Sequence, residues 1–338
     1  MSTETTATNA PIEEVTSLKE RSFLQGALAS QPFWVTIALL VICAVMTLKQ
    51  PDAFASADNF FNITRNFAFI GIMALGMTAV ILTGGIDLSV GSVMGLVGVV
   101  SGLLLQGENH WAVAIAAGLA TGAVIGAVNG VLVAYVGLPS FVVTLGMLSI
   151  ARSLAVVLSQ NKIIYQLGPW GDAFDAIGGG DILGIANPVW LLIAMALLFG
   201  WAFNFTAWGK YLFAIGGNEN AARLTGVPVK RIKLQAYILC GLTAAIASIM
   251  IVGWQGSAIN ALGTGYELRV IASTVIGGAS LLGGEGGAYG AVIGAALIEV
   301  IRNSLLMAGV DSNWQGTFVG LFIILAVLLQ RIRHRPTE

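Results

Sequence analysis

Long apolar runs follow one another along this chain with very few charges between them, and that constrains its fold more than any other feature. Stretches of roughly 17–25 apolar residues cross a bilayer as helices. About ten can be read here: 33–48, 60–82, 89–106, 111–136, 140–158, 188–206, 234–254, 266–282, 287–307 and 315–330. Charged residues are 10% of the chain, against about 25% in soluble domains, too few to cover a water-facing surface. Disorder, a coiled coil, a secreted disulfide scaffold and a nucleic-acid binder are excluded, and a net charge of −1 implies no polyanionic partner. The expected fold class is all-α, a polytopic integral membrane protein of about ten transmembrane helices. Glycine, at 43 of 338 residues, is well above its usual share of about 7%. That excess points to close helix packing and to Gly-rich broken segments in the membrane.

Residues 1–32 are polar and carry Glu4, Glu13, Glu14 and Glu20. They lack the basic, apolar opening of a secretory signal and form an N-terminal segment ahead of a transmembrane domain at 33–331 and a tail at 332–338. Lysine and arginine near span ends set orientation. With the N-terminus inside, Lys19, Arg21, Lys210, Arg223, Lys230, Arg231, Lys233, Arg331, Arg333 and Arg335 are cytoplasmic, ten of the 16 basic residues. The longest outer loop, 159–187, then holds Asp172, Asp175 and Asp181 against Lys162 alone. Both termini are therefore expected in the cytoplasm. Trp34, Trp111, Trp190, Trp208, Trp254 and Trp314 all fall at predicted span ends, where indoles sit among headgroups.

Gly118, Gly122, Gly126 and Gly130 recur every four residues and make a smooth stripe for a neighbouring helix; Gly286, Gly290 and Gly294 repeat the pattern in the ninth span. The runs ending at Thr83-Gly84-Gly85 and at Gly277-Gly278 look alike, as an internal duplication or Gly-rich composition alone would leave them.

The loop 207–233 encodes a short helix. Asn218 is an N-cap, Glu219 and Arg223 are four apart in the first and last turns, Gly226 is a stop, and Pro228 lies beyond. About two turns are marginal alone in water, so the segment is either held by a partner or by the protein itself, or is a plain connector. In 83–91, Asp87 is either a functional intramembrane carboxylate or, with Ser89, a cap for the next helix. Glu299 and Arg302 are spaced to pair on one helix.

Material for catalysis is absent from the sequence. His110 and His334 are the two histidines, Cys43 and Cys240 both sit in apolar runs, and no metal site is expected. Lys210 follows Gly209 but precedes Tyr211, so there is no phosphate loop of the ATP-binding kind. No catalytic residue and no cofactor of its own are assigned to the chain.

Taken together, Met77 through Gly91 (MTAVILTGGIDLSVG), Gly216-Gly217-Asn218-Glu219 with Ala222-Arg223-Leu224 and Gly226, and Gly265-Tyr266-Glu267-Leu268 resemble the ribose-type permease subunits of bacterial ABC sugar importers. The resemblance runs over nearly the whole chain from about residue 33. It implies a homodimer of ten-helix subunits in the bacterial inner membrane, a cytoplasmic ATPase that binds ATP-Mg, and a periplasmic sugar-binding protein. It also gives Gly217, Asn218, Glu219, Ala222, Arg223, Leu224 and Gly226 a role, as a coupling helix docked in a groove of the ATPase. Asn62, Asn66, Asp87, Gln255 and Asn260 are candidate polar groups for a translocation path, with hydration or capping as the alternative for each. Rival readings are an ABC permease for a branched-chain amino acid and an ion-coupled secondary transporter. The latter needs an intramembrane carboxylate, for which Asp87 and Glu299 are the candidates.

Overall fold

The computed structural model describes residue 28, residues 30–311 and positions 314, 316–318, 320, 321 and 324. Most of the N-terminal segment, the tenth expected span and the basic tail lie outside the described residues, apart from those isolated positions.

Among the described residues the chain is a helical bundle with one two-stranded hairpin. A first helix, α1 (Gln31–Lys49), is followed by a single turn, α2 (Pro51–Phe54), and by α3 (Ala57–Leu82), whose start is fixed by Ser56 Oγ accepting from Asn59 N at 3.2 Å. Next come α4 (Val90–Gln106), α5 (Trp111–Val131) with a π-helical extension to Val136, and α6 (Ser140–Leu158). A surface excursion carries α7 (Gly171–Gly178), β1 (Asp181–Ile182) and β2 (Ile185–Ala186), paired antiparallel. The chain then re-enters the bundle as α8 (Asn187–Phe205) and continues through α9 (Ala207–Gly217), α10 (Glu219–Leu224), α11 (Val229–Gln255), α12 (Tyr266–Ile276) and α13 (Ala288–Met307).

Among the described residues, seven helices are long and apolar enough to cross a membrane: α1, α3, α5 with its extension, α6, α8, α11 and α13. Two of the expected spans are shorter. α4 has 17 residues, and α12 stops at Ile276 after 11, roughly 16 Å at 1.5 Å per residue. The apolar count through Leu281-Leu282 was misleading, because those leucines follow the helix end and Leu282 stands almost fully exposed.

α3 and α11 form the centre, apolar on all sides and mostly buried, whereas α1, α6 and α8 keep exposed apolar faces. That division is what a bilayer asks for, because lipid-facing side chains need not be covered by protein. α11 packs on α5, α3 and α4. A methyl group added at Gly122 or Gly126 would overlap the carbonyl oxygen of Gly241 or Tyr237, and one at Gly130 would lie 2.8 Å from Leu234 Cδ1. Gly118 faces Ser101 and Ile249. On α13, Gly290 and Gly294 lie against the backbone of Gly277 and Ser273. Gly286, which the sequence pattern grouped with them, lies before the helix and beside Ala279.

The two Gly-rich helix ends that look alike in sequence share one hydrogen-bond pattern. Gly84 N and Gly85 N donate to Ile81 O and Val80 O, and Gly278 N and Ala279 N donate to Val275 O and Thr274 O. Both are Schellman caps.

Candidate functional site

The stretch 207–233 is more helical than its composition implies. Thr206 Oγ1 accepts from Gly209 N at 3.1 Å and starts α9, whose Leu212 and Ile215 are buried. Asn218 Oδ1 accepts from Ala221 N at 3.0 Å and starts α10. Gly226, at φ 85°, ends it: Gly226 N donates to Arg223 O and Val227 N to Ala222 O, a third Schellman cap. The helix proper has six residues, 219–224, inside the 218–226 window, and α11 begins at Val229 instead of 234.

Glu219 bonds Arg223 at 3.0 Å, as their spacing implies, and also Lys233 of α11 at 2.5 Å. Lys233 escaped the sequence reading because it lies fourteen positions on, beyond the end of the helix. Burial alone would push the Glu219 carboxyl up, but Lys233 and Arg223 outweigh it and hold it below the ordinary carboxylate range. Ala222 is the buried contact of α10, while Gly217, Arg223 and Gly226 are exposed and Leu224 is 89% exposed. The helix is therefore pinned by one small residue and an ion-pair network, with its long side chains facing away.

The root of α10 sits in a junction built from backbone. A Cβ placed on Gly216 would collide with Leu82 O and Gly284 N, and one on Gly283 would lie 2.8 Å from Gly216 Cα and 2.9 Å from Gly84 N. Gly284 N donates to Leu82 O at 3.1 Å. Three glycine-bearing segments that are far apart in sequence thus meet backbone to backbone, through Gly84, Gly216 and Gly283–Gly284.

Asp87 lies just beyond this junction and is buried. Its Oδ1 accepts from Ser89 N at 2.9 Å and Ser89 Oγ at 2.6 Å; Asn129 Nδ2 bonds Ser89 Oγ at 3.0 Å. Ser89 does not cap α4 by its side chain, but Asp87 makes the cap-type bond to Ser89 N at its entrance, and Asn129 links the pair to α5. Glu299, eight residues before the end of α13, is bound by Arg302 through two nitrogens, one at 2.9 Å. Both candidate ion-coupling carboxylates are engaged by protein groups.

The remaining path candidates lie at the opposite end, near α7. Asn62 Oδ1 accepts from Arg65 at 2.6 Å, and the Arg65 guanidinium lies 4.1 Å from the Trp254 ring. Asn66 is half-buried one turn further along α3. Gln255 lines a crevice of about 810 Å³ with Gln106, Gln166, Asp172, Asp175 and Trp254. Asn260 instead ties its loop to Ser159 Oγ and Asn161 Oδ1, both at 3.1 Å. Asp87 is separated from this group by most of the length of α3, so the five residues do not form one site.

A further residue, Arg152, emerges only in three dimensions. It reaches from α6 to Asn260 O at 2.6 Å, Leu262 O at 2.9 Å and Gly91 O at 3.4 Å, holding the non-helical 256–265 segment against α4. Its signal in the sequence is a cation well inside an apolar run. Among the described residues no group of histidine, cysteine and carboxylate side chains could hold a metal ion.

Residues 59–327 match the family model described as branched-chain amino acid transport system / permease component. The ribose import permease protein RbsC of Escherichia coli K12 is 42% identical over 294 residues, 87% of this chain and 91% of that protein. The L-arabinose ABC transporter permease protein AraH of Azospirillum brasilense is 33% identical over 89% of this chain and 87% of its own. The fructose import permease protein FrcC of Rhizobium meliloti is 34% identical over 93% and 88%. No solved structure is a significant match. With a family model over most of its length and relatives aligned nearly end to end, this multi-pass membrane protein belongs to the family of branched-chain amino acid transport system permease components.

Proposed function

We propose that this protein is the membrane-spanning subunit of an ATP-driven ABC importer, passing a monosaccharide or related polyol delivered by a periplasmic binding protein. It works as a pair of identical subunits in the bacterial inner membrane, each with ten spans, the tenth at 315–330, and with both termini in the cytoplasm. Residues 207–233 then lie in the cytoplasm and 159–187 in the periplasm. The observation that carries this reading is α10: six residues, capped at both ends, locked to α11 through Glu219–Lys233, with Arg223 and Leu224 facing outward. Such a helix is rigid relative to the bundle yet offers its outer face to another molecule. The sugar class is supported by the relatives, which are named as ribose, L-arabinose and fructose permeases.

The mechanism follows from the junction. The ATPase binds ATP-Mg and closes, displacing α10. Because Gly216 is wedged against Leu82 O and Gly283–Gly284, and Gly283 in turn against Gly84, that displacement cannot be absorbed locally and passes to α3 and the 277–287 loop. The pair of subunits then changes which side its central path opens to. This chain breaks no bond; it transmits movement.

Proteoliposomes holding the permease, its ATPase and its binding protein test the assignment. ATP-dependent uptake of one sugar from a panel of pentoses, hexoses and polyols is expected. Uptake that persists without ATP and collapses with the ion gradient overturns it. For orientation, a cysteine at Arg333 is expected to label only from the cytoplasm and one at Asp175 only from the periplasm; labelling of position 333 from the periplasm rejects the ten-span arrangement.

A further inference from the structure

Resting on that reading of α10, we propose that the loop 279–285 is a second docking element for the same ATPase, with Leu282 as its apolar anchor. Leu282 is 89% exposed, matching Leu224 at the end of α10. Single exposed leucines are ordinary; here two stand on rigid elements that share a root. The loop is fixed by its own bonds, with Ser280 N donating to Glu285 O at 3.0 Å, Gly283 N to Ser280 O at 2.9 Å and Leu282 N to Ser280 Oγ at 3.3 Å. It cannot fold the side chain inward without breaking them. Its next two residues seat it on Gly216–Gly217, immediately before the Asn218 cap, and Gly284 N bonds Leu82 O at the end of α3.

The occupant follows from that placement. A leucine meant for lipid would stand on the rim, on a helix such as α1 or α8 with an exposed face. This one stands at the end of α3, the helix most enclosed by neighbours, on the end of the bundle that carries α10. A partner gripping Leu224 and Leu282 holds both sides of the glycine junction. It then drives α10 and the α12–α13 connection from both sides of that junction.

Leu282→Cys, Leu224→Cys and, as control, Leu183→Cys at the hairpin are labelled with a membrane-impermeant maleimide in inside-out and right-side-out vesicles, with and without co-expressed ATPase. The parent, with Cys43 and Cys240 only, sets the background. Assembly is expected to slow labelling at 224 and 282 tenfold or more and leave 183 unchanged. Protection at 224 with unchanged labelling at 282 overturns the second contact and leaves the proposed function standing. Protection at neither overturns the docking role of α10 and this inference with it. Leu282→Cys already shielded without the ATPase means that lipid covers it, which also overturns the proposal. Leu282→Asp is expected to leave the permease folded and to lower the ATPase it retains on purification at least several-fold; unchanged retention counts against the anchor.

Discussion

At the α10 end, three distant segments meet backbone to backbone at Gly84, Gly216 and Gly283–Gly284. At the α7 end backbone also meets backbone, with Gly178 against Met250 O and Gly253 Cα, but side chains tie the segments together as well. Asn260 bridges to Ser159 and Asn161, Asn187 Nδ2 donates to Ala176 O at 2.8 Å, and Trp190 Nε1 donates to Ile182 O at 3.2 Å. The first kind of contact is stiff and admits no side chain. The second can be loosened one bond at a time. On the function proposed above, the α10 end transmits displacement, which suits the first construction.

That contrast can be broken most directly at Gly216. Overpacking commonly costs about 1–3 kcal/mol where side chains can shift; here the collision is with backbone, so Gly216→Val is expected to abolish a monodisperse peak on size exclusion in detergent. Wild-type yield and elution would remove the junction from the account. Arg152→Met should come next. Charged hydrogen bonds contribute about 1.5–3 kcal/mol, and their loss frees the carbonyls of Asn260 and Leu262. A lowered melting temperature with insertion intact is expected, partly restored by Arg152→Lys; an unchanged melting curve means the bonds are not made in the membrane.

Arg223→Glu sharpens the comparison at smaller cost to the fold. It reverses a charge at the helix C-terminus and repels Glu219, terms of about 0.3–1 kcal/mol each, so the bundle stays folded. Weaker co-purification with the ATPase and ATP hydrolysis without uptake are expected. Wild-type assembly and uptake would return α10 to the status of a connector. The smallest effect is with pH. Because the folded-state pKa of Glu219 is depressed, its contribution is present above the ordinary carboxylate value and is lost as pH falls through the folded value. A spin label on α10 should gain mobility only in that acidic window, and Glu219→Gln should be mobile at all pH values. Mobility that rises with pH would contradict the assignment.

What the sequence made legible divides along the same line. Helix α10 could be written down from Asn218, Glu219, Arg223 and Gly226 because caps and i,i+4 pairs are local. Helix starts near Trp111 and Ser140 were legible from where the apolar runs begin. Lys233, Asn129 beside Asp87, and Arg152 over Asn260 were not, since each partner is brought in by packing and not by spacing. α9 was missed because the apolar window closes at Ala207, although Thr206 carries a cap signal. The junction glycines were visible as an excess of glycine; that they fit one another was not, because complementarity of three absent side chains leaves no mark in any one segment.

The shortness of α12 has a consequence for how the protein is made. Eleven residues fall well below the roughly twenty that a single helix needs to cross the hydrocarbon core, and the 256–265 segment before it depends on Arg152 to satisfy its carbonyls. As the chain emerges from the ribosome, α12 cannot partition into lipid by itself. Its packing partners are α13 and α3, so it has a stable place only once α13 has been synthesised and both lie against α3. A chain truncated near Gly287 would therefore leave α12 without the helix it packs on most.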